Sequence, residues 1–179
     1  MIIISNNVQS YTKIPRNAVI RINMAWIHDM ESLYKILNEN RKHNIFLDFN
    51  SGRTKPPSTN FTFEDALQIM NTKNVSFHIK YFAISNAEDI KILKKYRMKV
   101  PSIITLVPKI ETALGILRLV EICKACKTDI VMLDKDDLWI SLHNDSKLFN
   151  EFIDEIRKKG KENNIRILEL QGVIFAERN

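Results

Sequence analysis

The sequence predicts an α/β protein whose parallel strands form a TIM-like β/α barrel. Short runs rich in β-branched residues recur along the chain, and amphipathic helical segments separate them. These runs are continuously apolar, which is typical of parallel strands covered by helices. About seven such units favour a barrel that lacks a full eighth strand, with an open doubly wound sheet as the alternative. No Gly-rich phosphate loop follows a strand, so a dinucleotide fold is not indicated.

The elements follow one another in a regular order. Asp29 and Thr62 are suitable N-caps, and Leu33 and Leu37 recur at helical spacing after the first of them. A turn rich in Gly and Pro covers 51–58, and 173–175 either extend the last strand or begin another. The predicted strands cover 1–5, 18–23, 44–48, 76–84, 102–107, 129–133 and 166–170, and the predicted helices cover 29–42, 62–70, 86–97, 111–124 and 146–162.

Length and composition indicate one globular domain over residues 1–179. Hydrophobic residues make up 45% of the chain and charged residues 27%, as in ordinary globular proteins. No apolar run reaches the roughly 18 residues that a bilayer span requires. The opening Met1–Ile4 is too short for a signal peptide core and has no basic flank. We therefore expect a cytoplasmic protein without a membrane partner.

The net charge of +6 could indicate a nucleic-acid partner. Lysine and arginine are, however, scattered among acidic residues, and no basic stripe with interleaved aromatics is visible. We expect a solvated surface or attraction of a small anionic substrate, and no nucleic acid. Cys123 and Cys126 lie in a predicted helix without a second pair, which favours reduced thiols that fill space.

Two carboxylates follow neighbouring predicted strands at their C-terminal ends, where barrel enzymes place their active sites. Glu111 comes after the fifth strand and Asp137 after the sixth, 26 residues later. Oxygen ligands with open positions suit Mg²⁺ or Mn²⁺, so the pair is a candidate metal site. The alternatives are that Glu111 only favours a helix start and that Asp137 belongs to a solvated acidic run.

Two cations accompany these carboxylates. Lys109, two residues before Glu111, could neutralise charge that develops on a substrate oxygen. Arg21 lies within the second predicted strand and would point into the barrel, where an isolated charge is costly unless it binds an anion. Asp48 at the end of the third strand is its natural partner.

Several segments resemble the barrel domain of the pyruvate kinase family. The resemblance implies that Glu111 and Asp137 bind the catalytic divalent ion. It also implies that Lys109 assists phosphoryl transfer and enolate stabilisation, that Arg21 contacts the substrate phosphate, and that Asn23 and Asp48 belong to the substrate site. The segments are Ile20-Arg21-Ile22-Asn23, Leu47-Asp48, 84–90, Lys109-Ile110-Glu111 and 132–138.

The chain is also similar to pyruvate-dependent aldolases and citrate lyase β subunits, which are related to the kinase. Their pattern Ile-Glu-Thr, followed by a Gly-Pro-Asn-Asp-Leu-Ser segment, fits Glu111-Thr112 somewhat better. This resemblance implies carbon–carbon lyase or aldolase chemistry, which needs no nucleotide.

The sequence departs from the kinase pattern at several positions, and these departures leave three possible functions. Only 53–60 could replace the kinase lid domain, Ala25 replaces a serine, and Asp136 replaces a glycine. Leu170 stands where the kinase has a threonine for proton transfer, and leucine cannot act as an acid or base. The main prediction is kinase-like turnover of a pyruvate or phosphoenolpyruvate-type anion. The alternatives are a lyase or aldolase and a non-catalytic barrel. Open strand edges would require a homodimer or a partner chain.

Overall fold

The computed structural model describes residues 2–5, 15, 17–50, 61–72, 78–171 and 174–177. The predicted turn at 51–58 and the segment 53–60 in the place of the lid lie outside these ranges. The strands are β1 (Ile2–Ser5), β2 (Val19–Asn23), β3 (Asn44–Phe49), β4 (Ile79–Ile84), β5 (Thr105–Ile110), β6 (Ile130–Leu133), β7 (Arg166–Gln171) and β8 (Ile174–Glu177). The helices are α1 (Met30–Glu39), α2 (Phe63–Asn71), α3 (Ile90–Lys99), α4 (Ala113–Leu117), α5 (Leu119–Cys126), α6 (Lys135–Ser141) and α7 (Ser146–Glu162), with a 3-10 turn at Met24–Trp26.

The strands form a closed barrel in chain order, which confirms the predicted β/α barrel. β1 to β7 pair in parallel, each with its neighbour along the chain. The short β8 runs antiparallel and pairs with both β7 and β1. A rudimentary strand therefore takes the eighth place. This agrees with the sequence alternative in which 173–175 begin another strand. Because β8 closes the described sheet, the open edges that suggested a dimer are not present there, and the oligomeric state stays a prediction.

Two separate apolar cores lie on the two sides of the barrel wall, one inside the barrel and one outside it. The smaller fills the barrel with alternate strand residues, among them Val19, Phe46, Val107 and Met132. The larger lies between the strands and the helices outside them. Strands buried on both faces explain why the sequence shows continuous apolar runs rather than alternation.

Helix starts agree with the capping residues in the sequence. Asp29 accepts a hydrogen bond from the Ser32 amide, and Thr62 forms a reciprocal capping box with Asp65. The helix predicted at 86–97 begins later, at Ile90, because Asp89 caps it. Among the described helices, none is long and apolar enough to cross a bilayer.

Three features of the secondary structure near the barrel mouth differ from the sequence prediction. The fifth strand ends at Ile110 rather than 107, because Pro108 continues it and aligns with Ile84 of β4. The helix predicted at 111–124 is two helices that meet at Arg118, the C-cap of α4 and the N-cap of α5. Helix α6 was not predicted, because Asp134–Asp137 resembled a solvated loop; Asp134 in fact caps it.

Candidate metal centre

The C-terminal mouth, the end of the barrel where β1–β7 finish, collects polar side chains at the strand ends. In β5, Lys109 follows the inward-facing Val107 at a spacing of two, and Glu111 follows Lys109. In β6, Asp134 follows the inward-facing Met132 in the same way. Because side chains alternate along a strand, the last inward position of each strand faces the mouth.

Three carboxylates converge there. Oxygen atoms of Glu111, Asp134 and Asp137 all lie within 4.8 Å of one another. Asp137 comes from the first turn of α6, while Glu111 and Asp134 directly follow their strands. The structure thus brings together the two residues singled out in the sequence and adds Asp134.

Lys109 is the cation at the centre of this cluster. Its Nζ lies 3.2 Å from Glu111 Oε1, 3.7 Å from Asp134 Oδ2 and 3.9 Å from Asp48 Oδ1. It also donates a hydrogen bond of 3.1 Å to Ser85 Oγ. Burial lowers the pKa of Lys109, but the neighbouring carboxylates, Asp48 first, outweigh burial and raise it. The ammonium group therefore stays charged although only 4% of the side chain is exposed.

The second carboxylate oxygen of Glu111 is held by the backbone. The Asn86 amide donates a 2.7 Å hydrogen bond to Glu111 Oε2, and Asn86 has a left-handed φ of 52°. Burial raises the pKa of Glu111, while Lys109 and the Asn86 amide act in the other direction and only partly offset it. A buried carboxylate beside other carboxylates is stabilised by a further cation.

The predicted substrate-binding residues lie on β2 and β3, and each of them is bonded to another group of the protein. Arg21 Nε donates to Asp48 Oδ2 at 2.9 Å, and Arg21 Nη2 contacts the same oxygen. Asp48 is fully buried and follows the inward-facing Phe46 at a spacing of two, so this pair lies inside the barrel, below its mouth. Asn23 Oδ1 accepts hydrogen bonds from the Ala25 amide and from Asn50 Nδ2.

Sequence reasoning missed Asp134, Ser85 and Asn50. The signal for Asp134 was its spacing of two residues from Met132, but its place in an acidic run suggested a solvated loop. Asp134 also accepts a hydrogen bond of 3.3 Å from the Asp137 amide, so capping orients it. The side chain of Leu170, predicted to replace a threonine, lies outside the described part of the chain.

The donor set fits a hard divalent cation. Counted over the described residues, four carboxylates face two cations in this cluster, an excess of two negative charges. Carboxylate oxygens are the ligands that Mg²⁺ and Mn²⁺ prefer. The six residues are Arg21, Asp48, Lys109, Glu111, Asp134 and Asp137.

The fold and this cluster define an α/β barrel with a candidate divalent-metal centre at its C-terminal mouth. Solved structures with the same fold include citrate synthase SbnG, with a TM-score of 0.64 and 12% identity over 88% of this chain and 69% of that one. The citrate lyase β subunit complexed with oxaloacetate and magnesium from M. tuberculosis has a TM-score of 0.57 and 15% identity, over 84% of this chain and 67% of that one. RipC from Yersinia pestis has a TM-score of 0.57 and 14% identity, over 84% of this chain and 68% of that one.

At 12–15% identity, these similarities establish the fold alone. The citrate lyase branch shares its fold with this chain over most of the chain's length, whereas these structures give no support to the pyruvate kinase branch. No protein-family model and no curated protein matches the chain.

Proposed function

We propose that this chain is a divalent-metal-dependent lyase or aldolase that acts on a small 2-oxo acid of the pyruvate or oxaloacetate type. One observation carries the proposal: three carboxylates converge beside a buried, charged lysine at the barrel mouth. Similar structures in complex with oxaloacetate and magnesium, and with magnesium and pyruvate, support it.

Glu111, Asp134 and Asp137 are the residues that would hold the ion. A bound divalent ion supplies Lewis-acid polarisation of carbonyl and carboxylate oxygens. Two of the three carboxylates follow different strands directly, and the third is fixed by the first turn of α6. Sites on regular elements hold their ligands more rigidly than sites on loops.

Lys109 would offset negative charge that grows on the substrate oxygen when an enolate forms. Its surroundings keep it protonated, and the poorly solvated position strengthens its electrostatic effect. Arg21, ion-paired with Asp48, adds a second positive group beside Lys109 and would orient the anionic end of the substrate.

A thermal-shift titration with Mn²⁺ tests the metal centre. At about 100 times its dissociation constant, a ligand adds about 2.7 kcal/mol of stability. In a protein of this size that corresponds to a rise of roughly 5–10 °C in Tm. We expect this rise in the wild type and its loss in the double variant Glu111→Gln, Asp137→Asn.

Asp136→Asn is the matched control, because Asp136 shares the first turn of α6 but lies outside the cluster and is exposed. It should retain the full Mn²⁺ shift. A wild type without a metal-dependent shift, or equal loss in the control, would overturn the metal assignment.

Hydrogen–deuterium exchange at the pyruvate methyl group, followed by NMR with Mg²⁺ present, tests enolate formation. Metal-dependent exchange that is lost in Lys109→Met supports a lyase or aldolase. Binding of pyruvate without exchange supports the non-catalytic alternative.

Calorimetric titration with ADP distinguishes the kinase alternative from the lyase or aldolase. The presence of Lys109 and of the run from Arg21 to Asn23 is the observation that favours it. Heat of binding for ADP that disappears in the Lys109→Met variant would restore that alternative. Absence of this heat would leave the lyase or aldolase.

A further inference from the structure

A groove of about 750 Å³ lies at the end of the barrel opposite the metal centre. It is formed where α2, α3 and α5 end, and the next strand along the chain begins soon after each helix. Because the metal centre lies where parallel strands finish, the barrel separates it from the groove. Five cationic side chains line the groove: Lys94, Arg97, Lys99, Lys124 and Lys127.

No carboxylate is among the described residues that line this groove. Lys94, Lys124 and Lys127 are exposed and form no ion pair within the described ranges. Lys99 has an exposed partner, Glu64, at 3.4 Å, and solvent weakens such pairs. The positive charge therefore stays largely uncompensated by side chains.

Arg97 forms the rigid wall of the groove. Its guanidinium donates to the carbonyl oxygens of Val100, Pro101 and Ile104 at 2.6, 2.8 and 2.9 Å. These carbonyls accept hydrogen bonds from three of its five N–H groups without removing its charge. The negative ends of the α2, α3 and α5 dipoles face the same region, but together they amount to about 1.5 elementary charges against five cations.

Lys127 reaches the groove from an unusual backbone conformation. It is the C-cap of α5, with φ 52° and ψ 53°, a position at which glycine is common. A side chain in this region is strained, because its Cβ approaches the following carbonyl oxygen. The chain thus places a cation at this site where a glycine would be less strained.

We infer that the groove binds a small polyanion that carries several phosphates and is about the size of a nucleoside triphosphate. Its volume lies within the range of about 300–1,000 Å³ that is typical of small-ligand sites. Single-stranded nucleic acids are usually bound with aromatic stacking platforms, and the described lining contains no aromatic residue. Met98, Val100 and Pro101 provide an apolar side for the rest of the ligand.

Titration calorimetry with inorganic tripolyphosphate tests this site. EDTA keeps both the probe and the metal centre free of metal. We expect saturable binding that weakens as salt concentration rises. The double variant Lys124→Glu, Lys127→Glu should lose about tenfold or more in affinity, equivalent to roughly 1.4 kcal/mol.

The double variant Lys158→Glu, Lys161→Glu is the matched control. It makes the same change in net charge, and both lysines are exposed near the end of another helix, α7. Its affinity should stay within about twofold of the wild type. The milder pair Lys124→Gln, Lys127→Gln gives the same comparison if charge reversal unfolds the protein.

Three results would overturn the inference. The first is no saturable heat in the wild type, and the second is equal losses of affinity in the groove and control variants. The third is tighter binding of a single-stranded oligonucleotide than of tripolyphosphate through the same lysines, because that would make the ligand a nucleic acid.

Discussion

The Nζ atom of Lys135 lies 2.6 Å from Glu169 Oε2, and this contact joins α6 to β7 outside the barrel interior. Lys135 is the first residue of α6, between the candidate metal ligands Asp134 and Asp137. Glu169 is 2% exposed and also accepts two hydrogen bonds of 3.1 Å from Arg157 of α7. The turn that carries two candidate ligands is therefore anchored by a buried carboxylate.

We expect Lys135→Met to weaken Mn²⁺ binding about tenfold or more, because it frees the turn that holds Asp134 and Asp137. Changes to the partners that orient metal ligands typically cost 10- to 100-fold in affinity. Competition with a fluorescent chelator measures this change. Lys135→Arg should restore most of the affinity.

Arg157→Met is the control for that prediction, because it removes a different partner of Glu169 without touching the turn. It should lower the stability of the metal-free protein and leave Mn²⁺ affinity nearly unchanged. Equal losses of affinity in Lys135→Met and Arg157→Met would contradict a specific role for Lys135.

The same carboxylate should make folding stability depend on pH. Burial raises the pKa of Glu169, but hydrogen bonds from Arg157 and Lys135 outweigh burial and lower it. Its contribution is present above the unfolded-state pKa, near 4.5, and is lost as the pH falls through the lower folded-state value. Urea unfolding across pH should show a deficit for Glu169→Gln at neutral pH that shrinks below about pH 4.5.

Glu151→Gln serves as the comparison for that series, since Glu151 is exposed on α7. Its unfolding free energy should follow the wild type at every pH. A deficit for Glu169→Gln that stays constant into acid would show that its charge is not the source of the stability.

Gly160 should resist the usual gain from alanine in a helix. Replacing an interior helical glycine by alanine ordinarily adds about 0.5–1 kcal/mol of stability. At Gly160 a Cβ would lie 2.7 Å from Ile167 Cδ1 and 3.0 Å from the Ile165 carbonyl oxygen. We expect Gly160→Ala to lower the free energy of unfolding by about 1 kcal/mol, measured in urea.

Gly115→Ala is the matched substitution in another helix, α4. Its Cβ would meet Ile110 Cγ2 at 3.4 Å, an ordinary contact, so this variant should be neutral or more stable. A Gly160→Ala protein more stable than the wild type would show that α7 has room to move away from β7.

Cys123 and Cys126 should react slowly with thiol reagents in the native protein. Their side chains are buried, and burial raises the pKa of each thiol to about 12. Only the thiolate reacts readily, so both should stay largely unmodified at pH 8 and react together in denaturant. Rapid modification of either residue in the folded protein, followed with a chromogenic disulfide, would contradict this placement.

Local sequence signals predicted most of the fold. The caps Asp29 and Thr62 and the continuous apolar strands each depend on near neighbours, and the structure has all of them. The expected partnership of Arg21 and Asp48 followed from their places on adjacent strands. Pro108 misled the reading of β5, because proline usually ends a strand.

What the sequence did not predict depends on contacts between distant segments. Asp134 became a candidate ligand only once β6 and α6 were in place, since an acidic run alone is typical of solvated loops. The antiparallel β8 and the pairing of Lys135 with Glu169 involve long-range register, which periodicity does not encode. The groove cations lie on separate elements and are scattered in the sequence.

The most direct measurement is the anomalous scattering map of a crystal soaked with Mn²⁺ and pyruvate. We predict a manganese peak bound by carboxylate oxygens of Glu111, Asp134 and Asp137, next to Lys109. A map at saturating Mn²⁺ with no peak among these three residues, in crystals where the mouth is open to solvent, would contradict it.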